Sequence, residues 1–278
     1  MFELYQKTSR ICSKATTNIY STSFSMGIKL IAKDYRWAIY GIYGFVRLAD
    51  EIVDTFDRND KAELLAEFRR DTYNAIEKGI SLNPILQTFQ DVVHQYQIGN
   101  NLIEPFFESM AADLDQKEHS QKSYDEYIYG SAEVVGLMCL KVFCDGDDAA
   151  CERLKQPAKA LGSAFQKVNF LRDIKSDVED RGRVYFPTLD LSDFNDNIKL
   201  EIIEDVKKDF NEAYQGIKKL PMSCRFGVYM SYKYYLRLIE KIERKNSREI
   251  LESRIRVSNP EKVYILAKSL FRFKLNVI

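Results

Sequence analysis

Apolar residues return at helical intervals along most of this chain. Between 60 and 79, Leu64, Leu65, Phe68, Tyr73 and Ile76 fall at the spacing of one helix face, and Gly79 marks a stop. The stretch 83–99 opens with Asn-Pro and closes with Gly, the asymmetry of a helix start and end. The same spacing predicts helices over 101–115, 123–144, 148–179, 197–218, 223–246 and 260–274. The run around "RLADEIVD", Arg47 to Asp54, also reads as a buried, apolar helix. The longest predicted loop is "EDRGRVYFPTLDLSDFND" (179–196), and "LPMS" (220–223) separates two helices. No strand-like alternation extends beyond a few residues, and no repeat, low-complexity tract or Gly/Ser linker divides the chain. The pattern predicts one all-α domain over 1–278, its helices packed around a shared core.

Composition strengthens that picture and narrows the partners. Only 12 Gly and 6 Pro in 278 residues leave few interruptions to long helices. Lys plus Arg equals Asp plus Glu at 41 each, so no global field draws the chain to nucleic acid. Any electrostatic function must therefore be local. The 5 cysteines form no C-x-x-C pair, and with only 2 histidines a zinc site is disfavoured. A reduced, cytoplasmic setting is the expectation. The opening "MFELYQKTSRICSK" lacks the order of a secretion signal, and no run approaches the ~18 apolar residues of a membrane span.

Two short stretches break the apolar pattern in the same way. "RLADEIVD" carries Asp50 and Asp54, and "NFLRDIKSD" carries Asn169, Asp173 and Asp177. A helix turns by about 100° per residue, so positions four apart lie one turn apart on one face. Like charges so spaced repel, and burying them is far more costly unless something neutralises them. Three arrangements relieve this: a water-facing stripe, pairing with arginines such as Arg47 and Arg172, or a divalent cation. Two such ladders in one chain favour the cation, and oxygen donors without histidine suit Mg²⁺. Mg²⁺ leaves coordination positions for phosphate, which points to a diphosphate substrate. The chain has no phosphate-binding P-loop and no dinucleotide fingerprint, so apolar and aromatic residues must match the rest of the ligand. An isoprenoid diphosphate meets both demands.

The residues also carry a family resemblance. "YSTSFSMGIKL" (20–30), "AIYGIYGFVRLADEIVD" (38–54), "YIYGSAEVVG" (127–136), "LGSAFQKVNFLRDIKSDVEDRGRVYFP" (161–187), "YYLRLIEKI" (234–242) and "SRIRVSNPEK" (253–262) resemble the squalene and phytoene synthase family in order and spacing. The run N-x-x-R-D-x-x-x-D followed by "RGRVYFP" is the most specific of these. The resemblance implies a class I isoprenoid synthase bundle around a hydrophobic cavity. It implies that Asp50, Asp54, Asn169, Asp173 and Asp177 hold Mg²⁺, or Mn²⁺ in its place, and that Glu51 is a further acid beside them. Arg47, Arg172 and Arg254 would contact diphosphate. Ser21 and Phe24 match the family's entry motif, and Tyr43, Tyr127 and Tyr235 its cavity tyrosines. Gln166, one turn before Asn169, would face the same cavity. Ala132, Gly136, Ala158 and Gly162 are expected to leave room for two long chains. Three positions depart from the family pattern: Ser131 and Glu133 in the run 131–136, and Tyr20 where many relatives carry His. Glu133 either points away from the cavity or alters its wall.

The implied reaction is Mg²⁺-dependent head-to-head condensation of two isoprenyl diphosphates through a cyclopropyl intermediate. Phytoene from two C20 substrates is the favoured product. Squalene or dehydrosqualene from two C15 substrates is the alternative, with NADPH needed only for squalene. A di-iron carboxylate bundle would need two Glu-x-x-His motifs, and His94 and His119 do not supply them. A non-catalytic isoprenoid carrier would not need both ladders and their arginines. The tail 267–278 is expected as a final core helix with a solvated edge. Peripheral contact with a membrane surface is its alternative reading, and the oligomeric state is open.

Overall fold

The computed structural model describes residues 2–56, 58–115, 118–187 and 194–274. Within them helices are the regular structure, joined by short turns. In order these are α1 (Phe2–Tyr20), α2 (Thr22–Lys29), α3 (Lys33–Asp50), α4 (Lys61–Lys78), α5 (Pro84–Tyr96), α6 (Asn100–Asp115) and α7 (Gln121–Ile128). There follow α8 (Val134–Cys144), α9 (Asp148–Glu179), α10 (Asp196–Ile217), α11 (Met222–Glu243), α12 (Ser247–Glu252) and α13 (Asn259–Lys274). Among the described residues no strand forms, only one parallel bridge between Glu118 and Val184. All five cysteines are free. Part of the predicted 179–196 loop, residues 188–193, lies outside the described residues, as do 275–278 of the tail.

Each predicted helix from 60 onward is present, with ends set by local chemistry. Asn83 caps α5 by accepting from the Ile85 and Leu86 N–H groups, and Pro84 fills the first turn. Gly79 ends α4 in the left-handed conformation at φ 65°. The predicted helix 223–246 instead stops at Glu243, and Asn246 with Glu249 forms a capping box that starts α12.

The span 121–144 is also helical but carries a π turn at Tyr129–Glu133. A second π turn, Glu51–Thr55, ends α3, where the Phe56 N–H bonds the Glu51 carbonyl five residues back at 3.0 Å. Single π turns inside helices frequently mark functional sites, and both of these lie in stretches that carry candidate residues. The helix Gln121–Cys144 has the length and hydropathy to cross a membrane, yet 61% of its most apolar window is buried inside the protein.

The densest core lies among α3, α4, α5 and α6. Phe45 stacks on Phe89 with ring centroids 3.8 Å apart, and Phe68, Phe106 and Phe107 close around them. Beside this core, α9 crosses the 121–144 helix at close range. A Cβ on Gly162 would stand 2.6 Å from the Ala132 carbonyl, and one on Gly136 would stand 2.8 Å from the Ala158 carbonyl. The small residues therefore serve helix contact first. They also line the cavity described below, on the face where the two helices part.

Candidate active site

A cavity of about 640 Å³ opens between α2, α3, the 121–144 helix, α9 and α11. Asp50 and Asp54 come to its mouth from the end of α3, and Asp173 and Asp177 come from the last turns of α9. The two ladders thus come to one cavity from different helices, and arginines from the 181–183 turn join them. Arg181 pairs with Asp177 at 2.9 Å and with Asp54 at 3.5 Å, and Arg183 donates to Asp54 at 2.8 Å. Arg47 lies 3.8 Å from Asp50 and also pairs with Glu51. Arg172 pairs with its neighbour Asp173, which Arg254 reaches from the segment before α13 at 2.7 Å. Among the described residues no three His, Cys, Asp or Glu side chains converge to hold an ion by themselves. Both ladders are instead closed by guanidinium groups.

The charge balance at the mouth is uneven. Burial, with Asp54 adding to it and Arg47 opposing, pushes the Asp50 carboxyl up to about 7. Burial and the Asp173 charge push Asp177 up to about 7 as well, against the pull of Arg181. Two carboxylates thus sit where a further positive charge would stabilise them.

Below the mouth the walls turn aromatic. Phe24 meets Tyr43, Phe165 and Tyr235 at centroid distances of 5.9, 5.9 and 5.8 Å, and Phe165 stacks on Tyr235 at 4.0 Å. Ser21 caps α2 by accepting from the Phe24 N–H at 3.2 Å, which fixes the angle at which Phe24 enters. Tyr235 donates to Asn169 Oδ1 at 3.2 Å, and Gln166 lines the same wall. The rest of the lining is largely aliphatic and includes Ile31, Leu140, Leu154, Ile217 and Leu220.

The aspartates, Asn169, the three arginines, Ser21, Phe24, Gln166 and the three tyrosines named from the sequence all line this one cavity, whereas Glu51 does not line it and is buried beside it against Arg47. Of the departures, Tyr20 lines the mouth and packs its ring under Arg47, 4.3 Å from centroid to guanidinium. Ser131 lines the wall with a buried hydroxyl that has no hydrogen-bond partner among the described residues. Glu133 turns away to pair with Lys159 at 2.9 Å, so it leaves the wall unchanged. His94 is exposed and bonds the Ile76 carbonyl at 2.8 Å, far from any acidic ladder. Four residues at the site were not singled out from the sequence: Asp113, Arg181, Arg183 and Tyr185. Asp113 on α6 accepts from Tyr127 at 2.7 Å and from Tyr185 at 2.9 Å, with Arg183 3.6 Å away. The parallel bridge at Val184 seats Arg183 and Tyr185 against this group.

The profile of squalene/phytoene synthases matches residues 17–261, most of the chain. The chain belongs to the squalene/phytoene synthase family. It is 27% identical to the chloroplast phytoene synthase 1 of Solanum lycopersicum, over 96% of this chain and 69% of that protein. It is also 27% identical to the phytoene synthase of Arthrospira platensis, over 95% of this chain and 93% of that one. In fold it is similar to a dehydrosqualene synthase crystallised with a ligand, with a TM-score of 0.83 at 20% identity over 98% of this chain and 99% of that one. A squalene synthase from Alicyclobacillus acidocaldarius follows with a TM-score of 0.75 at 18% identity, over 91% and 97% of the two chains.

The protein is thus a prenyltransferase with the all-α isoprenoid synthase fold. For a member of the squalene/phytoene synthase family, the layering of the cavity has a direct chemical sense. The acidic and guanidinium mouth handles anions, and the aromatic and aliphatic interior accepts hydrocarbon.

Proposed function

We propose that this prenyltransferase condenses two geranylgeranyl diphosphates head to head to phytoene, releasing two diphosphates. The observation that carries the reading is one cavity lined both by acidic and guanidinium groups and by aromatic and aliphatic side chains. That the sequence relatives are named phytoene synthases favours this product over squalene or dehydrosqualene. Arg47, Arg172 and Arg254 would bind diphosphate oxygens through charge-assisted hydrogen bonds. Loss of one diphosphate leaves an allylic cation among Phe24, Tyr43, Phe165 and Tyr235, whose ring faces stabilise positive charge and keep water out. The second substrate's double bond attacks the cation, and proton loss closes a cyclopropane. Departure of the second diphosphate, rearrangement to the 1–1′ linkage and a last proton loss give phytoene without a reductant. Tyr127 spends its proton on Asp113, so toward the chamber it offers only oxygen lone pairs, the polarity that suits a cationic intermediate.

Mg²⁺, or Mn²⁺ in its place, fits this mouth. Asp50, Asp54, Asp173, Asp177 and the Asn169 amide are all oxygen donors, and Asp50 and Asp177 stay raised even beside Arg47 and Arg181, so their arginines do not fully compensate them. When bound, the cation would act as a Lewis acid on the diphosphate.

The test is incubation of purified protein and Mg²⁺ with C20 and with C15 diphosphates, with and without NADPH, followed by hydrocarbon analysis. A C40 hydrocarbon from the C20 substrate, indifferent to NADPH, is expected. A C30 hydrocarbon alone would move the assignment to dehydrosqualene or, if NADPH-dependent, squalene. Binding without diphosphate release would leave a carrier.

A further inference from the structure

Helix α13 is amphipathic with its apolar stripe turned outward. Its inner side packs on the core through Ile265, Leu266 and Phe273, the last against Phe226 at 4.8 Å. Its outer side exposes Val263 by 60%, Tyr264 by 67%, Leu270 by 38% and Phe271 by 67%. On a helical projection these four span an arc of about 120°. Lys268 and Arg272 follow on the adjoining arc, both exposed, and neither is in an ion pair among the described residues.

Charge on this helix is strongly one-sided, in a chain whose net charge is zero. Its only acid, Glu261, is spent inward on Arg237 at 3.1 Å and Lys241 at 2.8 Å of α11. The outer face therefore presents apolar side chains and cations with no carboxylate among them. Lys233 of α11 adds to the cluster: burial first, then the nearby Arg272 and Lys268, push its ammonium below the ordinary value, with Glu240 opposing. The helix also begins at the cavity mouth. Arg254, which pairs with Asp173 on the rim, lies just before it, and Lys262 in its first turn donates to Thr22 at 2.6 Å, next to the lining residue Ser21.

We propose that the outer face of α13 docks the protein on an anionic lipid surface and holds the cavity mouth against the bilayer. Exposed Val263, Tyr264, Leu270 and Phe271 enter the interfacial layer, and Lys268 and Arg272 meet lipid phosphates. The biological sense rests on the proposed reaction, in which an amphiphilic diphosphate enters and a hydrocarbon leaves. The docking itself is independent of that reaction and is measured without it.

The test is cosedimentation of the full chain with vesicles of phosphatidylcholine alone and of phosphatidylcholine with one quarter phosphatidylglycerol. Binding to the anionic vesicles, weakened by salt, is expected. Tyr264→Ser with Phe271→Ser, and separately Lys268→Glu with Arg272→Glu, should each weaken it roughly tenfold or more. Leu82→Ser, an exposed apolar position on another face, should leave it unchanged. Circular dichroism confirms that the variants fold, and turnover of detergent-dispersed substrate should match wild type, so failed docking is distinguishable from a failed reaction assignment. No binding to anionic vesicles, or equal binding by the α13 variants, would overturn the proposal. So would a dimer in sedimentation that the Tyr264/Phe271 variant dissociates without lipid, since the face would then be a contact between copies.

Discussion

Asp113 holds two phenolic protons at once. Tyr127 and Tyr185 both donate to it, and burial pushes its carboxyl up to about 6 against the pull of Arg183. Its side chain is only 5% exposed and that of Arg183 only 9%, so neither is readily solvated if the other is lost. Asp113→Ala should therefore destabilise by about 3 kcal/mol, seen as a lower urea midpoint at unchanged slope. Tyr127→Phe removes one donor from an acceptor that keeps two other partners, so stability should fall by only about 1 kcal/mol. Product formation should fall far more, on the order of a hundredfold, if the Tyr127 oxygen faces the cationic intermediates. Wild-type turnover by that variant would reduce Tyr127 to packing. The sequence held one clue to Asp113, which continues the buried stripe Ile103, Phe106, Phe107 and Met110 on α6. A carboxylate on an apolar stripe needs partners. Tyr127 comes from the next helix, but Arg183 and Tyr185 arrive from 70 or more residues downstream, on a turn that helical spacing does not describe.

Helical spacing served the elements well where an apolar face does the packing, as in α4, α5 and α9. It is silent on α1, whose buried positions are Ser9, Ser13 and Thr17. Two of those hydroxyls turn back onto their own helix, Ser9 to the Tyr5 carbonyl at 2.9 Å and Thr17 to the Ser13 carbonyl at 3.0 Å, while the buried Ser13 Oγ has no hydrogen-bond partner among the described residues. Such small side chains let α1 approach α3, where a Cβ on Gly44 would already stand 3.3 Å from Ser13 Oγ. Apolar periodicity cannot register a face built from small hydroxyls. The π turns escaped it too, because one widened turn barely disturbs a pattern read over a dozen residues. The close crossing of α9 yields an element-scale prediction. Gly162→Ala drives a methyl into the Ala132 carbonyl, and neither helix backbone can yield cheaply. A loss of about 1–3 kcal/mol is expected by thermal or urea unfolding. Gly79→Ala, in an open left-handed turn with nothing within 4 Å, should be limited to the strain of its φ, about 1 kcal/mol.

Across the whole molecule, balanced charge is sorted into a locally unbalanced mouth, and that makes stability depend on pH and on cations. Asp50 and Asp177 have folded pKa values near 7, above the ordinary 3.8, so the folded state holds their protons more tightly than the unfolded chain. The sign follows: as pH rises from about 4 to about 7, ionisation penalises the fold, and the full penalty is reached by pH 8. Asp50 keeps 35% of its side-chain surface exposed, so solvent screening reduces its penalty to about 1 kcal/mol, and Asp177, 12% exposed, is screened less and contributes at least as much. About half of that penalty is already present at pH 5.5, so the metal-free protein should melt about 2 °C lower at pH 8 than at pH 5.5 through these two groups. Mg²⁺ should reverse this selectively. A cation binding only the folded state adds about 2.7 kcal/mol at a hundredfold excess over its dissociation constant. It needs ionised carboxylates, so its effect should be large at pH 8 and small at pH 5.5. Asp50→Asn with Asp177→Asn should melt higher than wild type at pH 8 without Mg²⁺, lose the Mg²⁺ shift and make no product. An equal Mg²⁺ shift at both pH values, or one that survives the double substitution, would mean that these carboxylates are satisfied by Arg47 and Arg181 alone. The acidic ladders would then be structural ion pairs rather than a cation site.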